Sequence, residues 1–407
     1  MAYNVSVLSM PTIQKINHDL RLAQRMSRLG TETAFEVLVR AKALEKQGKD
    51  IVHLEIGEPD FDTPPNIIEA ASQALHGGWT HYGPSAGLPD LRQTIAGYVS
   101  RTRSVPVASE EVVVVPGGKP IIFYTILALV EQGDEVIYPN PGFPIYESMI
   151  NFAGAKPVPI ALRESNDFRV DANELRDLIT DRTRLVIINS PQNPTGSVLT
   201  ERDVRDIAAA IGDRDIMVLS DEIYSRLIFE GQHHSILSLE DWKDRTILLD
   251  GFSKTYAMTG WRMGYGVMRT DLANQIARLM TNSNSCTASF TQVAGIEALT
   301  GDQASVDTMC AEFKRRRDMF IDRVNRIKGF SCRSPKGAFY TFANITETGW
   351  NSKKLADALL EQAGVAALSG TAFGQFGEGY LRFSIANSYE NIAKALDRIE
   401  DWTKKNL

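Results

Sequence analysis

Lys254 stands in Gly251-Phe-Ser-Lys-Thr-Tyr-Ala-Met-Thr-Gly-Trp-Arg-Met-Gly264, just beyond the apolar run Thr246–Leu249. The run reads as a buried parallel strand, so the lysine leaves the strand's carboxyl end, where open α/β sheets gather their ligands. Desolvation beside other cations lowers a lysine's pKa and makes it an amine nucleophile. A lone loop lysine is ordinarily just solvated. Here Ser253 and Arg262 add a hydroxyl and a bidentate anion binder, the composition expected where a phosphate sits beside a reactive amine.

Other chemistry-bearing residues also close apolar runs. Asp221 ends Ile216-Met-Val-Leu-Ser-Asp; burying a carboxylate unpaired costs more than the roughly 2–7 kcal/mol of a neutral polar group, so it requires a cation, either an arginine or a protonated ring nitrogen. Pro116-Gly-Gly-Lys119 follows Val112–Val115 and leads into a helix. Its glycines let backbone approach an anion at the helix N-terminus, although the same pair also makes an ordinary turn. Pro139-Asn-Pro-Gly-Phe143-Pro-Ile-Tyr146 sets two aromatics in a stiffened loop, for packing or for a ligand. Asn189-Ser-Pro-Gln-Asn193-Pro-Thr-Gly196 is a rigid turn whatever its role.

The elements that must position these residues alternate between short apolar runs and amphipathic stretches, an α/β pattern. Strands are predicted at Val112–Val115, Glu135–Tyr138, Leu185–Asn189, Ile216–Ser220, Thr246–Leu249 and Tyr265–Met268, with helices at Pro120–Val130 and Glu201–Ile211. Thr200 is placed to cap the second helix. After Ser305 come a long charged helix, Asp307–Ile327, and a mixed segment holding Gly337-Ala-Phe-Tyr and Tyr380-Leu-Arg-Phe-Ser-Ile, which predicts a second, smaller domain.

The lysine segment resembles the motif of class I aminotransferases, the fold-type I enzymes that use pyridoxal 5′-phosphate, and the other segments fall in that family's order across most of the chain. The resemblance, closest to the aspartate-aminotransferase-like subgroup, implies a large domain with a mostly parallel central sheet, residues 61–300. A smaller α+β domain, 301–407, would be completed by an N-terminal arm, 1–60. It implies a phosphate cage of backbone amides near Gly118 and Lys119 with Ser253, Arg262 and Tyr82, the tyrosine reaching across from the neighbouring subunit of a homodimer. Phe143 would stack on the cofactor ring, with Tyr146 as a neighbouring pocket residue. Asp221 would pair with the ring nitrogen, Asn193 and Tyr224 would bond its phenolic oxygen, and Lys254, Asp221 and Tyr224 would carry catalysis.

For the substrate, the resemblance implies that Arg382 grips the α-carboxylate, facing the Gly57 backbone, with Asn193 nearby; an ordinary strand-edge arginine is the plain alternative. Lys119 resembles a lysine that binds the distal carboxylate of acidic substrates, but Pro120 after it is a departure that bears on where the helix starts. Phe35, in Gly30-Thr-Glu-Thr-Ala-Phe, lies in a strip expected to close over the pocket and to favour apolar side chains. The two hints conflict; the cation weighs more, since a charge discriminates more strongly than a methylene contact.

Composition narrows the partners. The 407 residues are 43% hydrophobic with a net charge of −6, which gives no electrostatic footprint for nucleic acid or an anionic membrane. The start, Met1-Ala-Tyr-Asn-Val, lacks a basic segment, and the longest apolar run, Ile121–Val130, is too short to span a bilayer. Cys286, Cys310 and Cys332 read as free thiols of a reducing cytoplasm. No metal site is expected: His and Cys pairs at zinc spacing are missing, and His233-His234 reads as a solvated pair. The expected activity is ping-pong transfer of an amino group from an L-amino acid to a 2-oxo acid, leaning towards acidic substrates. A lyase, cyclase or decarboxylase on the same fold is the alternative, and a non-catalytic scaffold a remote third.

Overall fold

Four consecutive valines, Val112–Val115, are fully buried, and their side chains alternate between two separate hydrophobic clusters. The same division runs through the neighbouring strands, with Leu219 and Leu249 on one face and Val218 and Leu248 on others. A sheet covered on both faces reads as continuous apolar runs rather than alternation. That is why its strands were visible as short hydrophobic blocks.

The computed structural model describes residues 21–407; Met1–Val5 and the first third of the expected N-terminal arm lie outside the described residues. In chain order the strands are β1 (Val52–His53), β2 (Val112–Val115), β3 (Glu135–Asn140), β4 (Lys156–Ala161), β5 (Thr183–Asn189), β6 (Met217–Asp221), β7 (Thr246–Gly251) and β8 (Gly264–Val267). Strands β2 to β8 form one sheet in the order β2-β8-β7-β6-β5-β3-β4. All six expected strands are in it. Strand β8 runs antiparallel to both β7 and β2, with Gly251 opposite Gly264. The loop 252–263 is therefore pinned at both ends, and it carries Ser253, Lys254 and Arg262.

Strand β4 was not expected, because Pro157 and Pro159 interrupt it. It lies at the sheet edge, where Lys156 N and Leu162 N donate inward to Asp134 O and Asn140 O. The prolines occupy the outward alternation, where no amide is needed. Helix Lys119–Leu129 starts one residue before its predicted position, with Pro120 in the first turn, where a missing N–H costs nothing. Helix Glu201–Ile211 is capped as expected: Thr200 Oγ1 accepts from Asp203 N at 3.2 Å, and Asp203 Oδ2 accepts from Thr200 N at 2.7 Å. The long charged helix spans Ala304–Val324, three residues earlier than expected, with the Asp302 side chain accepting the Ala304 amide.

Beyond it, β9 (Tyr340–Asn344), β10 (Val365–Ala366), β11 (Leu368–Ser369) and β12 (Tyr380–Ser384) follow, and β11-β12-β9 form an antiparallel sheet. Strand β1 pairs in parallel with β10, Val52 opposite Val365. Arg40 bonds Asp357, and Arg398 bonds Asp50. Early and late segments thus close on each other beside the large sheet.

Candidate active site

The carboxyl ends of five parallel-running strands open on a single cavity of about 360 Å³. Gly118 and Lys119 reach it after β2, Phe143 after β3, Asn193 after β5, Asp221 and Tyr224 from β6, and Ser253, Lys254 and Arg262 from the β7–β8 loop. Gly57 arrives from beyond β1, Arg382 from β12, and Phe35 from helix Thr33–Glu45 at the mouth. Tyr82 does not line the cavity and is 90% exposed.

Lys254 Nζ donates to Gly57 O at 2.6 Å and lies 5.7 Å from the centre of the Phe339 ring. Burial pulls its ammonium down to about 8; Glu58 opposes this, and Arg382, Arg262 and Lys119 add to it. Asp221 accepts from the Tyr146 hydroxyl at 2.6 Å and from Ile223 N at 3.3 Å. Burial pushes its carboxyl up to about 6, despite those hydrogen bonds, with the charges of Asp250 and Glu222 contributing.

An arginine does not supply the missing cation. Arg103, the buried guanidinium behind the site, bonds Glu222 at 2.8 Å and Asp250 at 3.1 Å. His233 belongs to this network as well, its Nε2 2.7 Å from Glu222 Oε2, so it is not the solvated residue that its sequence position suggested. Burial pushes the carboxyl of Glu222, next in sequence to Asp221, upward, but His233 and Arg103 together hold it at about 2.

Arg382 is 4% exposed and, among the described residues, has no carboxylate partner. Its Nη1 donates to Asn193 Oδ1 at 3.3 Å and its Nη2 to Glu55 O, while Nε has no partner. The guanidinium lies 4.5 Å from the Tyr340 ring centre and 4.8 Å from that of Phe373. The Tyr340 hydroxyl shares a 2.8 Å hydrogen bond with that of Tyr224. The turn before β6 is bound to it: Asn189 Nδ2 donates to Asp221 O at 2.9 Å, and Asn189 Oδ1 accepts from Asn193 N at 2.9 Å.

Gly117 has φ +84°, and a Cβ there would collide with the Arg262 guanidinium. Arg262 is itself left-handed at φ +53° and donates from Nη1 to Thr259 O at 2.7 Å. Bare backbone, a helix N-terminus, a hydroxyl and an arginine thus converge where an anion fits. Together with a buried aspartate that has no counter-cation among the described residues and a desolvated amine, they could hold a planar, phosphate-bearing cofactor.

Sequence reasoning missed four contributors. Tyr146 touches Asp221 rather than merely neighbouring the pocket. Tyr340 lies in the Gly337-Ala-Phe-Tyr run, which had no assigned role. Glu58 bonds the Thr259 hydroxyl across the cavity, and Glu32 pairs with Lys119. Glu32 stood inside the segment singled out for Phe35, and Glu58 directly follows Gly57.

Fold and site together define an enzyme that works on small anionic substrates. The family model "Aminotransferase class I and II" matches residues 49–399. The chain is 41% identical to an aspartate aminotransferase of Pyrococcus horikoshii over 382 residues, 93% of this chain and 96% of the relative. It is 38% identical to aromatic-amino-acid aminotransferase 2 of Thermococcus litoralis over 359 residues, 87% and 92% of the two chains. Among solved structures, the aspartate aminotransferase of Thermus thermophilus with maleate superposes with a TM-score of 0.90 at 35% identity, covering 94% of this chain and 99% of that one. The chain belongs to the class I and II aminotransferase family. It is an aminotransferase, moving an amino group from an amino acid to a 2-oxo acid.

Proposed function

We propose that this enzyme works with pyridoxal 5′-phosphate, that Lys254 is its catalytic amine, and that acidic amino acids are its preferred donors. When bound, the cofactor supplies a carbonyl that accepts the amino group and a ring that draws electron density from the α-carbon. The observation that carries the reading is Lys254 itself: an amine lowered to about 8, sharing one cavity with Asp221 and with a buried Arg382 that has no carboxylate partner among the described residues.

Near neutral pH part of such an amine is unprotonated, and it can take the proton from the substrate's α-carbon and hold it for return on the far side of the amino nitrogen. Asp221 holds negative charge where a ring cation would relieve its burial. The unpartnered Arg382 Nε is a donor available to an α-carboxylate, next to Asn193. Tyr224 and Asn193 would orient the ring, Phe143 would stack on it, and Gly118, Lys119, Ser253 and Arg262 would hold the phosphate.

Lys119 at the cavity mouth supports the acidic preference, and two of the relatives named above are aspartate aminotransferases. Phe35 at the same mouth, 49% exposed, would admit apolar side chains too. The exposure of Tyr82 supports a homodimer in which it serves the partner's phosphate. Our division into a large domain, 61–300, and a small one built from 1–60 and 301–407 draws support from the β1–β10 pairing. Among the described residues no helix is long and apolar enough to cross a membrane; we place the enzyme in the cytoplasm.

A panel of amino donors with 2-oxoglutarate, read by mass spectrometry of the 2-oxo acids formed, tests the reading. Turnover that survives Lys254→Ala, or products lacking the oxo acid, would sink it.

A further inference from the structure

Glu32 enters the active-site cavity from the segment before helix Thr33–Glu45, and its carboxylate pairs with Lys119 Nζ, 87 residues away in sequence. The glutamate side chain is 18% exposed and that of the lysine 47%, so the acid is the deeper partner. Its segment is fixed to one helix of the large domain, Ile145–Ala153, since Gly30 N donates to Ser148 Oγ at 2.9 Å and Arg28 Nη2 to Phe152 O at 3.2 Å. On its other side Lys119 lies 5.6 Å from the Phe143 ring centre. The field of Glu32 also reaches deeper, acting on Arg382 and the Tyr340 hydroxyl. The cavity therefore already contains a tethered carboxylate, sitting on the cation that would otherwise await one.

We propose that Glu32 is a built-in competitor for the distal-carboxylate subsite, and so a residue that sets the choice between acidic and neutral amino donors. The inference rests on the reading that Lys119 receives the distal carboxylate of the donor. An aspartate or glutamate molecule must displace Glu32 from Lys119, exchanging one carboxylate for another and leaving two anions close together. An alanine or phenylalanine molecule leaves the pair intact. Glu32 thus compresses the acidic preference that Lys119 alone would impose, and lets one cavity serve both classes of donor.

The test compares the pyridoxal-phosphate-loaded wild type with Glu32→Gln, Lys119→Ala and the double variant, on aspartate, glutamate, alanine and phenylalanine. Glu32→Gln should raise kcat/KM for the two acidic donors by about three- to tenfold, chiefly through KM, and leave the other two within about twofold. The gain should vanish in the Lys119→Ala background, as a double-mutant cycle requires of a direct pair. Succinate, a dicarboxylate with no amino group to transfer, should bind Glu32→Gln more tightly by the same factor, a readout independent of turnover. Equal changes for all four donors, weaker succinate binding, or an undiminished gain without Lys119 would overturn the proposal. If Lys119→Ala lowers all four donors alike, the distal-carboxylate reading fails and the inference with it. If Lys119→Ala is selective for acidic donors while Glu32→Gln is not, only Glu32's part fails.

Discussion

An ammonium that deprotonates near pH 8 affects stability as well as chemistry. The folded pKa of Lys254, about 8, is below its ordinary 10.5, so the cofactor-free fold bears a cost at neutral pH that is relieved as pH rises from about 8 towards 10.5. Lys254→Met keeps the stem and removes the charge; it should stabilise the cofactor-free protein at pH 7 by roughly 1–3 kcal/mol and lose that advantage near pH 10.5. Denaturant melts at the two pH values decide this, and a pH-independent difference would contradict it. Catalysis goes the other way: Lys254→Ala should cost at least about 10³-fold in turnover. Asp221 has the opposite sign. Its folded pKa of about 6 exceeds its ordinary 3.8, so the carboxylate destabilises the cofactor-free fold progressively from about pH 4 to 6 and fully above. Asp221→Asn should therefore stabilise that form at pH 7 while slowing single-turnover α-proton exchange by about 10²-fold or more; an unchanged exchange rate would remove Asp221 from its role. Both residues were legible because Asp221 ends an apolar strand and Lys254 stands just beyond one. Tyr146 and Glu32 were not, since their partners lie 75 and 87 residues away and nothing local encodes such a pairing.

Secondary-structure elements deliver these groups through their ends rather than their faces. The turn after β2 works because Gly117 is left-handed and leaves room for the Arg262 guanidinium. Gly117→Ala should weaken pyridoxal phosphate binding about tenfold or more while the cofactor-free protein still folds, measured by titrating absorbance; unchanged affinity would separate this turn from the phosphate. Thr200→Ala is the control at the same scale: loss of the cap should cost about 1 kcal/mol of stability and leave kcat/KM as it was. Continuous apolar runs made β2, β3, β5, β6 and β7 readable. Strand β4 escaped because the edge position that tolerates its two prolines is a tertiary fact, and the reversal of β8 escaped because a buried four-residue strand looks the same in either direction.

For the molecule as a whole, Tyr82, 90% exposed and outside the cavity lining, is the residue through which our proposal of a second copy can be tested. Tyr82→Ala should lower cofactor affinity without altering the secondary structure, and an equal mixture with Lys254→Ala, each inactive or weak alone, should recover about a quarter of wild-type activity, because about half of the reassorted dimers are heterodimers and each of those has one intact site of two. No recovery on mixing would argue that each chain builds its site alone. The resemblance indicated that the two chain ends would meet; periodicity held no sign of it, because a two-residue strand such as β1 carries too little pattern. That meeting also bears on biosynthesis. Asp50 and Lys394 are 344 residues apart, and among the described residues β1 has its sheet partner only in β10. As the chain leaves the ribosome, β2 to β8 can pair while the residues around Gly57 still wait for the final segment. The groups we propose for the cofactor can thus come together during synthesis, whereas Arg382, which we propose for the substrate, joins them only once the last segment is free.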